Sequence, residues 1–176
     1  MTFRTLAIIT IISLGAWITA IAQSAKENER NPQMNDHESN HAVERARTHA
    51  EATITVHNFE AKPYDQTVSP ALMEIHLNET FTGEINGESP VRALEVKRDD
   101  KSACLVSMQR FHGKLGGREG TFVLQGQEIV ENGKVKAAWF VVPRSGTGDL
   151  SGLRGEGGFQ GEFGKGSNGT LDYWFE

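Results

Sequence analysis

With 176 residues, a net charge of −5 and 38% hydrophobic side chains, the chain has room for one domain of ordinary size but not for two substantial ones. Its acidic balance contains no basic stripe, which removes most of the electrostatic footing for nucleic-acid binding. The one cysteine, Cys104, excludes an internal disulfide, so a packed core must hold the fold.

Residues 1–22 read as a signal peptide. Arg4 supplies the positive n-region, and Leu6–Ile21 is an uncharged apolar run ending in the small-x-small pattern Ala20-Ile21-Ala22. Cleavage is expected after Ala22, with export to the periplasm or medium. The run is slightly short of the ~20 apolar residues a spanning helix uses, so an uncleaved anchor is the lesser alternative. No cysteine follows the cleavage point, so lipoprotein anchoring is not expected. Loss of Arg4 takes the formal charge from −5 to −6.

Residues 23–51 are polar and nearly free of large apolar side chains, which predicts a disordered or weakly helical linker. His37-Glu38-Ser39-Asn40-His41 fits the H-E-x-x-H spacing of zinc proteases. That chemistry needs both histidines on one face of a buried helix and a third ligand, and a polar tail supplies neither. Loose surface metal binding by His37, His41 and His49 is the weaker alternative, and no metal site is expected.

From Ala52 the pattern turns to period two. ATITVHNF, MEIHLNETF, VRALEV, ACLVSMQRF, TFVLQGQEIV, KVKAAWFVV, LRGEGGF and TLDYWFE form about eight strand-like runs. Asn86-Gly87, Asp99-Asp100-Lys101, Gly116-Gly117 and Asn132-Gly133 read as the turns between them. No helical pattern intervenes, so 52–176 is predicted to be an antiparallel meander. Closure into an eight-stranded barrel hides its edges, with a two-sheet sandwich as the alternative. Cys104 is expected to be a small buried hydrophobe within its strand.

The glycine-rich segment Ser145–Phe159 resembles a phosphate loop but misses the last glycine of G-x-G-x-x-G, and a strand pattern follows where a helix should. Gly164-Lys165-Gly166-Ser167 lacks the Ser or Thr that must follow the lysine of a P-loop. No cofactor is therefore expected. The segment reads better as a barrel corner. Asp149 would cap a Leu150–Leu153 turn that plugs one barrel end, and Gly155, Gly157 and Gly158 would let the next strand run close to its neighbours. There is no G-x-S-x-G nucleophile elbow. His57, His76 and His112 are scattered over separate strands without ligand spacing.

Polar residues on otherwise apolar faces mark the candidate site. By parity Glu79 joins Met73, Ile75, Leu77 and Phe81, and Arg110 joins Cys104, Val106 and Met108. Arg154 and Glu156 stand among glycines. If these faces point inward, Glu79, Arg110, Arg154 and Glu156 must pair with one another or line a ligand.

AKPYD (Ala61–Asp65), GKLGGREGTFVLQ (Gly113–Gln125), VVPRSGTGDLSGLRGEGGFQ (Val141–Gln160) and the closing TLDYWFE resemble the mostly bacterial domain of unknown function family 3224 over about Ala52 to Glu176. The resemblance implies a closed eight-stranded barrel similar to allene oxide cyclase. It carries no settled activity and so no catalytic residues. Two positions depart from the family pattern: its Glu-Arg before the G-x-L-G-G-R turn is Gln109-Arg110 here, and the position after VLQ, often His in relatives, is Gly126.

Three functions follow as expectations. A small-molecule-binding barrel of the cell envelope comes first, then a cyclase or isomerase working by confinement of its substrate, then an envelope module with no ligand. The apolar outer faces of strands such as KAAWFVV imply a homo-oligomer, and the resemblance implies a dimer or trimer.

Overall fold

The structure, a computed structural model, describes residues 46–162 and 166–176. The expected signal peptide and most of the expected linker lie outside them. The described residues hold nine strands and no helix: β1 (Thr48–Asp65), β2 (Ala71–Gly83), β3 (Ile85–Asp99), β4 (Ser102–Leu115), β5 (Arg118–Glu131), β6 (Lys134–Val141), β7 (Thr147–Gly148), β8 (Leu153–Glu162) and β9 (Gly166–Phe175). All pairings are antiparallel. Spatial order runs β4-β3-β2-β1-β9-β8-β6-β5, and a β4–β5 ladder closes the ring. The closure makes the eight long strands a barrel and not a sandwich, while the two-residue β7 adds to β5 at Gly120 and Thr121.

β1 begins at Thr48, ahead of the expected boundary at Ala52. Ala50 and Ala52 both face inward, and their small side chains carry little of the apolar signal that marks a strand. The turns at Asp99–Lys101, Gly116-Gly117 and Asn132-Gly133 stand where expected, Asn132 and Gly133 both with positive φ. Asn86-Gly87 is different: it lies inside β3, and the β2–β3 turn is at Gly83-Glu84. Gly87 opposes Gly113 of β4, and a Cβ on it would stand 2.1 Å from the His112 carbonyl oxygen. This glycine permits close strand approach, not a turn.

The barrel is packed at one end. Phe81, Phe111 and Phe122 are fully buried, with ring centroids 5.6 Å (Phe81–Phe111) and 4.7 Å (Phe111–Phe122) apart. Each buried ring contributes roughly 1.5–3 kcal/mol of transfer free energy. Trp139 packs on Phe81 and Phe159, and its indole N–H donates to the Thr170 carbonyl at 3.0 Å. Leu150 and Leu153, from the glycine-rich corner, join the same core beside Leu115 and Tyr173 and plug that end. Gly157 of β8 faces β9, where a Cβ would stand 2.1 Å from the Thr170 carbonyl oxygen.

The opposite end is looser. Among the described residues β1 pairs with β9 as far as Ile54–Ser167, and its ladder with β2 continues past a bulge between His57 and Glu60. Val56 and Phe59, on this part of β1, are 36% and 48% exposed.

Candidate functional site

Side-chain parity decides what enters the looser half. On β5, Phe122, Leu124, Gly126, Glu128 and Val130 are buried while Gln125, Gln127 and Ile129 are exposed. On β4 the inward row is Ala103, Leu105, Ser107, Gln109 and Phe111. On β2, Ile75, Glu79 and Phe81 are buried on one face. These rows enclose a cavity of about 380 Å³. Ile75, Leu77, Leu105, Val130 and Phe159 supply its apolar wall, and Glu79, Ser107, Gln109 and Glu128 its polar side. Val56 and Phe59 stand at its rim, with Glu162, Gly166 and Ser167 of the β8–β9 hairpin.

The polar side is deeply buried. Glu79, Gln109 and Glu128 are 6%, 5% and 8% exposed. Gln109 hydrogen-bonds Glu79, and the Ser107 hydroxyl donates to Glu128 Oε1. The second carboxylate oxygens, Glu79 Oε2 and Glu128 Oε2, have no partner among the described residues, nor does Gln109 Oε1. Burial pushes the Glu79 carboxyl up to about 7; the Gln109 bond works against that rise, and the Glu128 charge adds to it. Burial also raises Glu128, opposed by the Ser107 hydroxyl and a backbone hydrogen bond. Gly126 makes the Ser107–Glu128 contact possible. A Cβ there would stand 2.5 Å from Glu128 Oε1 and 2.6 Å from Ser107 Oγ.

Of the four residues singled out from the sequence, Glu79 alone lines this cavity. Arg110 is exposed on the outer face of β4, with Cys104, Val106 and Met108, so its expected inward placement is reversed. Cys104 is likewise exposed rather than buried. The reason is that β4 carries apolar residues on both faces, and the outer row was as plausible an interior as the true one. Arg154 and Glu156 alternate with the inward Leu153, Gly155 and Gly157 and so lie outside. Arg154 donates to Glu176 Oε2 at 2.9 Å, and Glu156 pairs with Arg47, whose guanidinium sits 4.6 Å from the Trp174 ring. None of His57, His76 and His112 lines the cavity; His76 pairs with Glu74.

Glu128 and Ser107 are not among the residues singled out from the sequence, and Gln109 is there only as a departure from the family pattern. Glu128 shares parity with Phe122, Leu124 and Val130, so the test that selects Glu79 would also have found it. The two departures from the family pattern, Gln109 and Gly126, both fall on inward rows beside these carboxylates. Among the described residues no three His, Cys, Asp or Glu side chains group closely enough to hold a metal ion.

The family model for proteins of unknown function DUF3224 matches residues 50–176. A crystal structure of a DUF3224-family protein of unknown function from Shewanella oneidensis MR-1 superposes with a TM-score of 0.64 at 30% sequence identity, covering 74% of this chain and 99% of that one. No curated protein matches the chain.

Proposed function

This chain belongs to DUF3224, a family of proteins of unknown function, and we propose that its barrel binds a small molecule in the cavity lined by Glu79 and Glu128. One observation carries the reading: two buried carboxylates and a buried amide turn unpartnered oxygens on a cavity of about 380 Å³ with an apolar wall. An unmade hydrogen bond at a buried polar atom costs roughly 1–3 kcal/mol. Pockets of ligand-binding proteins combine an apolar lining with a few such convergent groups. Native mass spectrometry of protein purified from its own cell envelope tests it. A non-covalently bound small molecule is expected on the wild type and not on Ala93→Phe, which places a ring in the cavity that the buried Ala93 lines. Equal mass on both proteins, or none on either, counts against binding there.

A second reading, an isomerase or cyclase acting by confinement, draws on the Glu79 carboxyl at about 7. A buried acid at that pH can both give and take a proton during turnover. If this reading holds, the molecule recovered from wild type is a transformed one, and Glu79→Gln retains the untransformed form.

Export and self-association complete the proposal. Export is supported by the sequence pattern of residues 1–22. Self-association is supported by the outer face of β3, β4 and β5, where Leu94, Val106, Met108 and Ile129 are each about half exposed.

A further inference from the structure

We propose that the ligand is an organic ammonium, a protonated primary or secondary amine on an apolar body, whose N–H groups donate to Glu79 Oε2, Glu128 Oε2 and Gln109 Oε1. The inference rests on the binding reading above and adds the ligand's charge and its donor groups.

Three observations lead to it. The first is the sense of the unmade hydrogen bonds. Gln109 Oε1 accepts only, and so does each carboxylate oxygen when ionised. The amide of Gln109 and the hydroxyl of Ser107 already serve Glu79 and Glu128. With both carboxyls ionised, what is left for a ligand is acceptors, and a ligand that completes them in that state must donate.

The second is charge. Among the described residues no Lys, Arg or His lines the cavity, whereas Glu79 from β2 and Glu128 from β5 do. Further along β3, Glu95 adds a carboxyl near the same end, and the Lys97 ammonium there is 3.0 Å from Asp100 Oδ1. An anion entering meets the like charge of the Glu79 and Glu128 carboxylates. A neutral alcohol offers one donor and leaves both carboxylates unneutralised. An ammonium offers two or three donors and a charge, and charge-assisted hydrogen bonds are about twice as strong as neutral ones. Its charge also favours the ionised form that burial of both carboxyls disfavours.

The third is the wall. Ile75, Leu77, Leu105 and Val130 surround the carboxylates with branched aliphatic surface. Among the described residues no third His, Cys, Asp or Glu groups with these two carboxylates closely enough to hold a metal ion. The two carboxylates suit an amine whose carbon skeleton rests on the methyl groups.

Calorimetric titration with three probes of one chain length, octylammonium, octanol and octanoate, tests the proposal at neutral pH. Octylammonium is expected to bind at least about tenfold more tightly than octanol, a difference of about 1.4 kcal/mol, with octanoate the weakest. Glu79→Gln and Glu128→Gln are each expected to remove about tenfold of the octylammonium affinity while leaving octanol within about threefold. Should one variant fail to fold, the other and the wild-type ranking decide. Octanol or octanoate binding as tightly as octylammonium to the wild type overturns the ammonium proposal and leaves small-molecule binding standing. Binding of none of the three overturns both.

Discussion

At the scale of single residues, Glu79 costs stability at neutral pH. Its folded carboxyl is raised from 4.5 to about 7, so between those values the folded state holds more protons than the unfolded one. The stability this group allows is fully present below 4.5 and is lost as pH rises through 7, a difference of roughly 3 kcal/mol at 1.36 kcal/mol per pKa unit. Urea unfolding of wild type and Glu79→Gln at pH 5 and pH 8 checks this. The wild type is expected to lose more stability over that interval than the variant, and equal losses would contradict it. Gly126→Ala makes a second test. Its Cβ would meet the ends of two side chains rather than backbone, so the carboxylate of Glu128 is expected to swing away. The expected cost is about 1–2 kcal/mol from the lost Ser107–Glu128 bond, with a larger relative effect on ligand affinity, read by calorimetry. Parity made Glu79 legible in the sequence, because Ile75 and Phe81 flag its face unambiguously. It failed at Arg110, because hydrophobicity alone could not say which of two apolar rows on β4 is the interior. Gln109 stands out as a departure from the family pattern, but the same ambiguity puts its row on the outside.

At the scale of elements, the glycine-rich corner was read correctly in outline. Its leucines plug the barrel, and Gly157 permits the close approach of β8 to β9. Leu150→Ala is expected to destabilise the protein by about 2–5 kcal/mol in chemical denaturation, through a void in the core cluster it shares with Leu115, Leu153 and Tyr173. Ligand affinity of the folded variant should be nearly unchanged, since Leu150 does not line the cavity. Gly157→Ala should be worse tolerated than Gly126→Ala, because its neighbour is a backbone carbonyl on β9 that cannot rotate aside. Asn86-Gly87 shows the limit of local signals. A dipeptide that favours a hairpin turn was placed within β3, where the glycine answers the close approach of β4. That demand comes from a strand some 25 positions along the chain, as the Gly87–Gly113 pairing shows, and no short window contains it.

At the scale of the whole molecule, strand number, antiparallel order and closure were legible because alternation and turn residues repeat along the domain. The division of the interior was not. One half is filled by Phe81, Phe111, Phe122 and the leucine plug, and the other holds a cavity with two carboxylates. That division depends on which inward residues share a level once eight strands are in register, a property of the closed barrel and of no single strand. The outer apolar row gives a further test. Ile129→Glu is expected to shift sedimentation of the protein toward the monomer if β3–β5 is the self-association face, whereas an unchanged sedimentation coefficient would place association elsewhere. The central claim, a ligand in the hollow half, is tested most directly by methyl-labelled NMR during titration with the small-molecule fraction of the protein's own cells. The account predicts shifts at the methyl groups of Ile75, Leu77, Leu105 and Val130, with Leu150 and Leu153 unmoved. Silent cavity methyls, or shifts confined to the outer Leu94, Val106 and Ile129, would contradict it.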